Sequence, residues 1–127
     1  MANLKRLGLI SFVAVLLFFL AHEVTAQQLW RQAINGTGNS FDVARAVAVD
    51  SVGNVIAAGY ATNLGTFHDF TVIKFDGVSG AELWRRVING AANDYDQANA
   101  VAVDGAGNVV AAGQINTDTG ADFSVNR

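Results

Sequence analysis

The chain has 127 residues, a formal net charge of −3 at pH 7, no cysteine and no proline. Eight Lys and Arg stand against eleven Asp and Glu, with no basic run longer than a pair; this excludes nucleic acid as a partner, which needs several cations on one face. Without cysteine there is neither a disulfide nor a thiol nucleophile, so stability rests on packing.

The first element in chain order is an address. Lys5 and Arg6 precede an uncharged apolar run of 15 residues, Leu7 to Ala21, and Val24-Thr25-Ala26 follows with small residues suited to signal peptidase. The run is shorter than the roughly 20 residues of a membrane-spanning helix, so residues 1–26 read as a signal peptide cleaved after Ala26 rather than as an anchor. The expected location is outside the cytoplasm: secreted, periplasmic or in the cell envelope, with no membrane association after cleavage. Residues 27–127 keep six Lys/Arg and ten Asp/Glu, enough chain for one small domain with a single core.

The remaining sequence repeats itself. Leu29-Trp30-Arg31 recurs as Leu83-Trp84-Arg85, and Ala46 to Gly59 recurs as Ala100 to Gly113, both 54 residues on; residues 29–60 and 83–114 share 20 identities in 32 positions. The units run from about 29 to 82 and from 83 to 127. Asp69-Phe70-Thr71-Val72 returns as Asp122-Phe123-Ser124-Val125 after only 53 residues, so the stretch between Gly59 and Asp69, expected as a loop, is one residue shorter in the second copy.

Short apolar runs bounded by Gly, Asn and Asp predict strands. They fall at Gln28–Ile34, Ala44–Val49, Val55–Tyr60, Phe70–Phe75, Glu82–Ile88, Ala98–Val103, Val109–Gln114 and Phe123–Asn126. Asp50-Ser51-Val52-Gly53-Asn54, repeated as Asp104 to Asn108, is a tight-hairpin signal: an Asp that can bond the turn amides, then a Gly able to take positive φ. Asp76 to Gly80 forms a second turn. Ala46 to Val49 and Val55 to Ala58 are apolar at every position, which predicts strands packed on both faces. Four-stranded antiparallel units repeating at this length and packed on each side suit the blades of a β-propeller. The expected fold is therefore all-β: two four-stranded blades, a partial propeller, after an N-terminal signal peptide. A plain β-sandwich is the rival, but it does not require the strict period.

On these residues the chain resembles the bacterial β-propeller repeat family known as SBBP repeats. The resemblance runs from Asp42-Val43-Ala44-Arg45-Ala46 to Gly59 and from Asp69 to Trp84, then from Asp96 to Gly113, breaking off after Asp122 to Val125. It implies the propeller fold, an extracellular or envelope setting, and a scaffold or binding role rather than an enzymatic one. Lys74 to Trp84 is similar, more weakly, to the tryptophan-docking motif of quinoprotein propellers, but the quinone and calcium ligands of those enzymes have no matching motif, so no cofactor is implied. A closed propeller needs at least four blades. The two units are therefore expected to be part of a longer propeller, from a truncated or frame-shifted reading, or to assemble head to tail, one copy's Gln28–Ile34 completing the next copy's last blade. A remnant of a propeller hydrolase or quinoprotein is the further alternative.

No catalytic, cofactor or metal residue is assigned. Trp30 and Trp84 suit inter-blade packing better than sugar stacking. Asp42, Asp50, Asp94, Asp96 and Asp104 suit turn-forming and backbone capping better than calcium. Arg85-Arg86 reads as a solvated face, and His68, with no partner for general-base chemistry, as an exposed loop histidine. The Gly53 and Gly107 turns are not phosphate loops, since no helix follows. Asn35-Gly36-Thr37 would accept a glycan only in a eukaryotic secretory pathway. Neither the ligand nor the partner protein is specified.

Overall fold

A computed structural model describes residues 29–126. The expected signal peptide, Gln27, Gln28 and Arg127 lie outside the described residues. Among those described, every regular element is a strand: β1 (Val43–Val49), β2 (Val55–Asn63), β3 (Phe67–Phe75), β4 (Glu82–Ile88), β5 (Gln97–Val103), β6 (Val109–Thr117) and β7 (Gly120–Asn126). They form two antiparallel sheets, a four-stranded one ordered β1-β2-β3-β4 and a three-stranded one ordered β5-β6-β7. Every neighbour in a sheet is the next strand in the chain, so each sheet is a simple meander.

The same chemistry closes the equivalent hairpin in each unit. Asp50 Oδ1 accepts the backbone amides of Val52 and Asn54, its Oδ2 accepts the Asn54 side chain, and Gly53 takes φ +89°. Asp104 does the same with Ala106 and Asn108, and Gly107 takes φ +84°. Past each hairpin the strands also share an irregularity, a register shift between Ala44 and Ala46 and again between Ala98 and Ala100. Duplicated sequence has thus duplicated a bulge that bends the first strand of each sheet.

Three expectations are corrected. Residues 29–34, expected as a strand, carry no strand; Trp30 and Gln32 hold them over a sheet face instead of a ladder. The stretch from Gly59 to Asp69 is mostly strand, β2 running to Asn63 and β3 starting at Phe67, so that only Leu64-Gly65-Thr66 is a turn. In the second unit Thr117 pairs with Gly120 around Asp118-Thr119, which places the one-residue length difference at the hairpin tip. Finally, β1 is not packed on both faces: Val47 is 67% exposed and Val49 also lies open.

The core lies between the sheets. From the first come Ile56, Ala58, Phe70 and Val72, with Trp84 and Ile88 at the margin. From the second come Ala98 and Ala111, flanked by Val101, Val103, Val109 and Ile115. Pleat alternation sorts these side chains: Ile56 and Ala58 on β2 stand opposite Lys74 and Val72 on β3, which stand opposite Trp84 and Arg86 on β4, so one face of the first sheet meets one face of the second. The strand β5 lies against β1, β2 and β3.

Candidate functional site

Most of the acidic positions are structural. Asp42 Oδ1 accepts the Thr62 amide at 2.7 Å and Oδ2 the Gly36 amide. Asp96, fully buried, repeats the arrangement with the Asn116 amide at 2.6 Å and the Gly90 amide at 2.5 Å. Each carboxylate ties the loop before its sheet to the end of the sheet's second strand. Asp94 accepts the Asp96 amide through its backbone carbonyl. Among the described residues no group of three or more His, Cys, Asp or Glu is placed to hold a metal ion.

Asp50 has a second partner. Lys74 Nζ lies 2.8 Å from its Oδ2 in a largely buried pair. That ammonium, followed by the Asn54 side chain and the Asn54 and Val52 amides, holds the Asp50 carboxyl well below the usual carboxylate range against the opposing effect of burial. Asp76 is lowered by Ser79, through the Ser79 amide and hydroxyl, and then by the Val78 amide. Glu82 is lowered by Arg85, whose guanidinium forks onto both its oxygens at 3.1 and 2.8 Å. Arg85 therefore pairs within its own strand, and Arg85 and Arg86 both stand exposed.

The two tryptophans occupy equivalent places on different sheets. Trp84, on β4, packs beside Val109 and Ala111 of the second sheet. Trp30 lies over the outer face of the first, against Phe75 at 6.0 Å between ring centroids, and donates from Nε1 to the Gly77 carbonyl at 3.0 Å. Gly80, at φ +72°, has the indole so close that a Cβ would meet it at 2.6 Å. Gln32 adds a bond from its side-chain amide to the Gly80 carbonyl at 2.9 Å. Beneath this segment is a cleft of about 290 Å³ whose lining includes Val55, Ala57, Ile73 and Phe75.

A second feature sits at one end of the junction between the sheets. The His68 ring stacks on Tyr60 at 3.9 Å and meets the Tyr95 ring edge-on at 4.7 Å; Phe67 lies 6.0 Å from Tyr95, and the Arg45 guanidinium lies 5.6 Å from the Tyr60 centroid. Phe67 and Tyr95 are exposed, while Tyr60 and His68 are half-buried. His68 is thus a strand residue in β3 inside an aromatic cluster, not an exposed loop histidine. The cluster escapes sequence reading because it joins four segments: Arg45 from β1, Tyr60 from β2, Phe67 and His68 from β3, and Tyr95 from the β4–β5 connection. One signal was available. Tyr60 and Arg45 break the repeat, their counterparts being Gln114 and Asn99.

Compared with known proteins, the chain matches no protein-family model, no curated protein and no solved structure.

Proposed function

We propose that the protein is an exported, non-enzymatic repeat module, two blades of a larger β-propeller that serves as a scaffold or binding unit. One observation carries this. The face that the second sheet turns toward the first is built from Ala98, Val101, Val103, Val109 and Ala111, and the repeat places Ala44, Val47, Val49, Val55 and Ala57 at the same positions on the outer face of the first sheet. There residues 29–34 lie as β4 lies on the second sheet. A sandwich buries like faces against each other and finishes; this unit has two different faces that fit one another, as a radial or linear array requires. The signal-like first 26 residues support export.

The test is thermal unfolding of the purified protein at concentrations where it is monomeric. Open faces on both sides predict a broad transition with a calorimetric enthalpy different from the van't Hoff value; a sharp two-state melt of the monomer would sink the proposal.

The aromatic cluster favours a more specific binding role. Exposed Phe67 and Tyr95, linked through His68 and Tyr60 to Arg45, suit a ligand with a flat apolar face and an anionic group. Tyr95→Ala with Phe67→Ala would then weaken capture of such ligands from a glycan or peptide library at least tenfold with the circular dichroism spectrum unchanged; undiminished capture would remove this site.

A further inference from the structure

We infer that a second copy of this chain covers the open side of the second sheet, and that residues 31–34 of one copy add to β7 of the next as its fourth strand. The inference extends the repeat-module reading by naming the partner.

The segment has the sequence of a strand without its pairing. Leu29-Trp30-Arg31-Gln32-Ala33-Ile34 matches Leu83-Trp84-Arg85-Arg86-Val87-Ile88, which forms most of β4. The segment also has the position of that strand, since Trp30 covers the outer face of the first sheet as Trp84 covers the inner face of the second. The strand it would extend is missing beside it and present elsewhere. Among the described residues β7 is the edge of its sheet, whereas its counterpart β3 carries β4 on the corresponding edge. An open edge is a template for strand addition.

The side-chain faces agree with this pairing. The outer face of the second sheet carries Ala100, Ala102, Ala112 and Val125; their counterparts Ala46, Ala48, Ala58 and Val72 form the inner face of the first sheet. Packing the outer face of one copy's second sheet against the outer face of another copy's first sheet reproduces the contact already made inside the chain. The two patches differ, so the contact is head to tail. It closes into a ring or continues as a filament; about four to eight sheets per closed propeller correspond to two to four copies.

The internal ladder supplies the register. Arg86 stands opposite Val72 and Ile88 opposite Phe70, so Gln32 falls opposite the neighbour's Val125 and Ile34 opposite its Phe123. Directly opposed residues bring their Cβ atoms about 4.5–5.5 Å apart, close enough for a strained disulfide to trap. The chain has no cysteine, and both Gln32 and Val125 are exposed; Gln32→Cys gives up the bond to the Gly80 carbonyl, while Trp30 still anchors the segment through the Gly77 carbonyl.

The experiment mixes Gln32→Cys protein with Val125→Cys protein under mild oxidation and reads the product on a non-reducing gel. The expected product is a disulfide-linked heterodimer from most of the material. Each variant alone stays predominantly monomeric, because a head-to-tail contact never brings like residues together. A pair within one chain is ruled out because the positions lie on the opposite outer faces of two sheets that are themselves packed about 10 Å apart. The inference is overturned if the mixture cross-links no more than Gln32→Cys mixed with Val52→Cys, a turn position far from the edge, or if either variant self-links as well as the mixture. Light-scattering mass of the unaltered protein checks the result without cysteines: a rise toward two to four times the monomer value with concentration supports the inference, and a constant monomer mass overturns it. A constant monomer mass with a broad melt removes the second copy but leaves the repeat module standing; a constant monomer mass with a sharp melt removes both.

Discussion

The two copies of the repeat are nearly the same sequence and live in different surroundings. Val72 is 5% exposed and its counterpart Val125 is 57% exposed. Ala98 is fully buried, whereas Ala44 lies open. Val101 packs on the core while Val47 stands out in solvent. In each case the difference is the presence or absence of an adjoining sheet, since strand, residue type and local register are the same. Burial is therefore a property of the pair of sheets and not of the repeat, and the pattern written into each copy is an interface rather than a self-sufficient core.

The largest expected loss concerns the loop braces. Asp96→Ala removes two bonds to backbone amides from a fully buried carboxylate and should cost about 3 kcal/mol in chemical denaturation, since bonds to charged groups contribute roughly 1.5–3 kcal/mol and the amides are left without partners. Asp42→Ala breaks the same two bonds at a half-buried site, where water can replace them, and should cost about half as much. Equal losses would mean that the first loop is as tightly sealed as the second. A smaller loss, with at least as wide a contrast between the copies, lies in the core. Val72→Ala should lower monomer stability by about 2 kcal/mol, and Val125→Ala by less than about 0.5 kcal/mol as an exposed change; in the assembled protein the second value rises toward the first.

The mildest test uses acid. Asp50 has its carboxyl lowered by Lys74, and a group lowered on folding stabilises the native state above its unfolded value, near pH 4, and loses that contribution as pH falls below it. Melting temperature should therefore hold at neutral pH and fall below about pH 4. Asp50→Asn should flatten this fall, leaving a shallower slope of the same sign from Asp76 and Glu82, which are also lowered. An unchanged slope would show that the Asp50–Lys74 pair persists in the unfolded chain.

The repeat, the strands within it and the Asp50 and Asp104 hairpins were legible because their causes are local: each hairpin places its Asp and its Gly within four residues. The role of Asp42 and Asp96 was legible only in outline, since each binds an amide 20 residues away that no short motif marks. The full length of β2 and β3 was hidden by Gly65 and by the polar residues Thr62, Asn63, Thr66 and His68, whose composition suits a loop equally well; the continuous register from Val55 to Asn63 comes from cross-strand pairing. Residues 29–34 carry a strand sequence without a strand partner. Local propensity was right about what the segment can do, and a strand forms only when an edge is there to receive it. The aromatic cluster depends on four segments meeting and had no sequence pattern beyond departures from the repeat at Arg45, Tyr60, Phe67 and His68.

The single-residue difference at the β2–β3 and β6–β7 tips has a practical consequence. Thr117 and Gly120 close around two residues where Asn63 and Phe67 close around three, and the strands on either side are unperturbed. These tips are therefore the natural places to splice in a foreign peptide, an affinity tag or a fluorescent reporter, one per unit, displayed at a regular interval wherever the units are strung together.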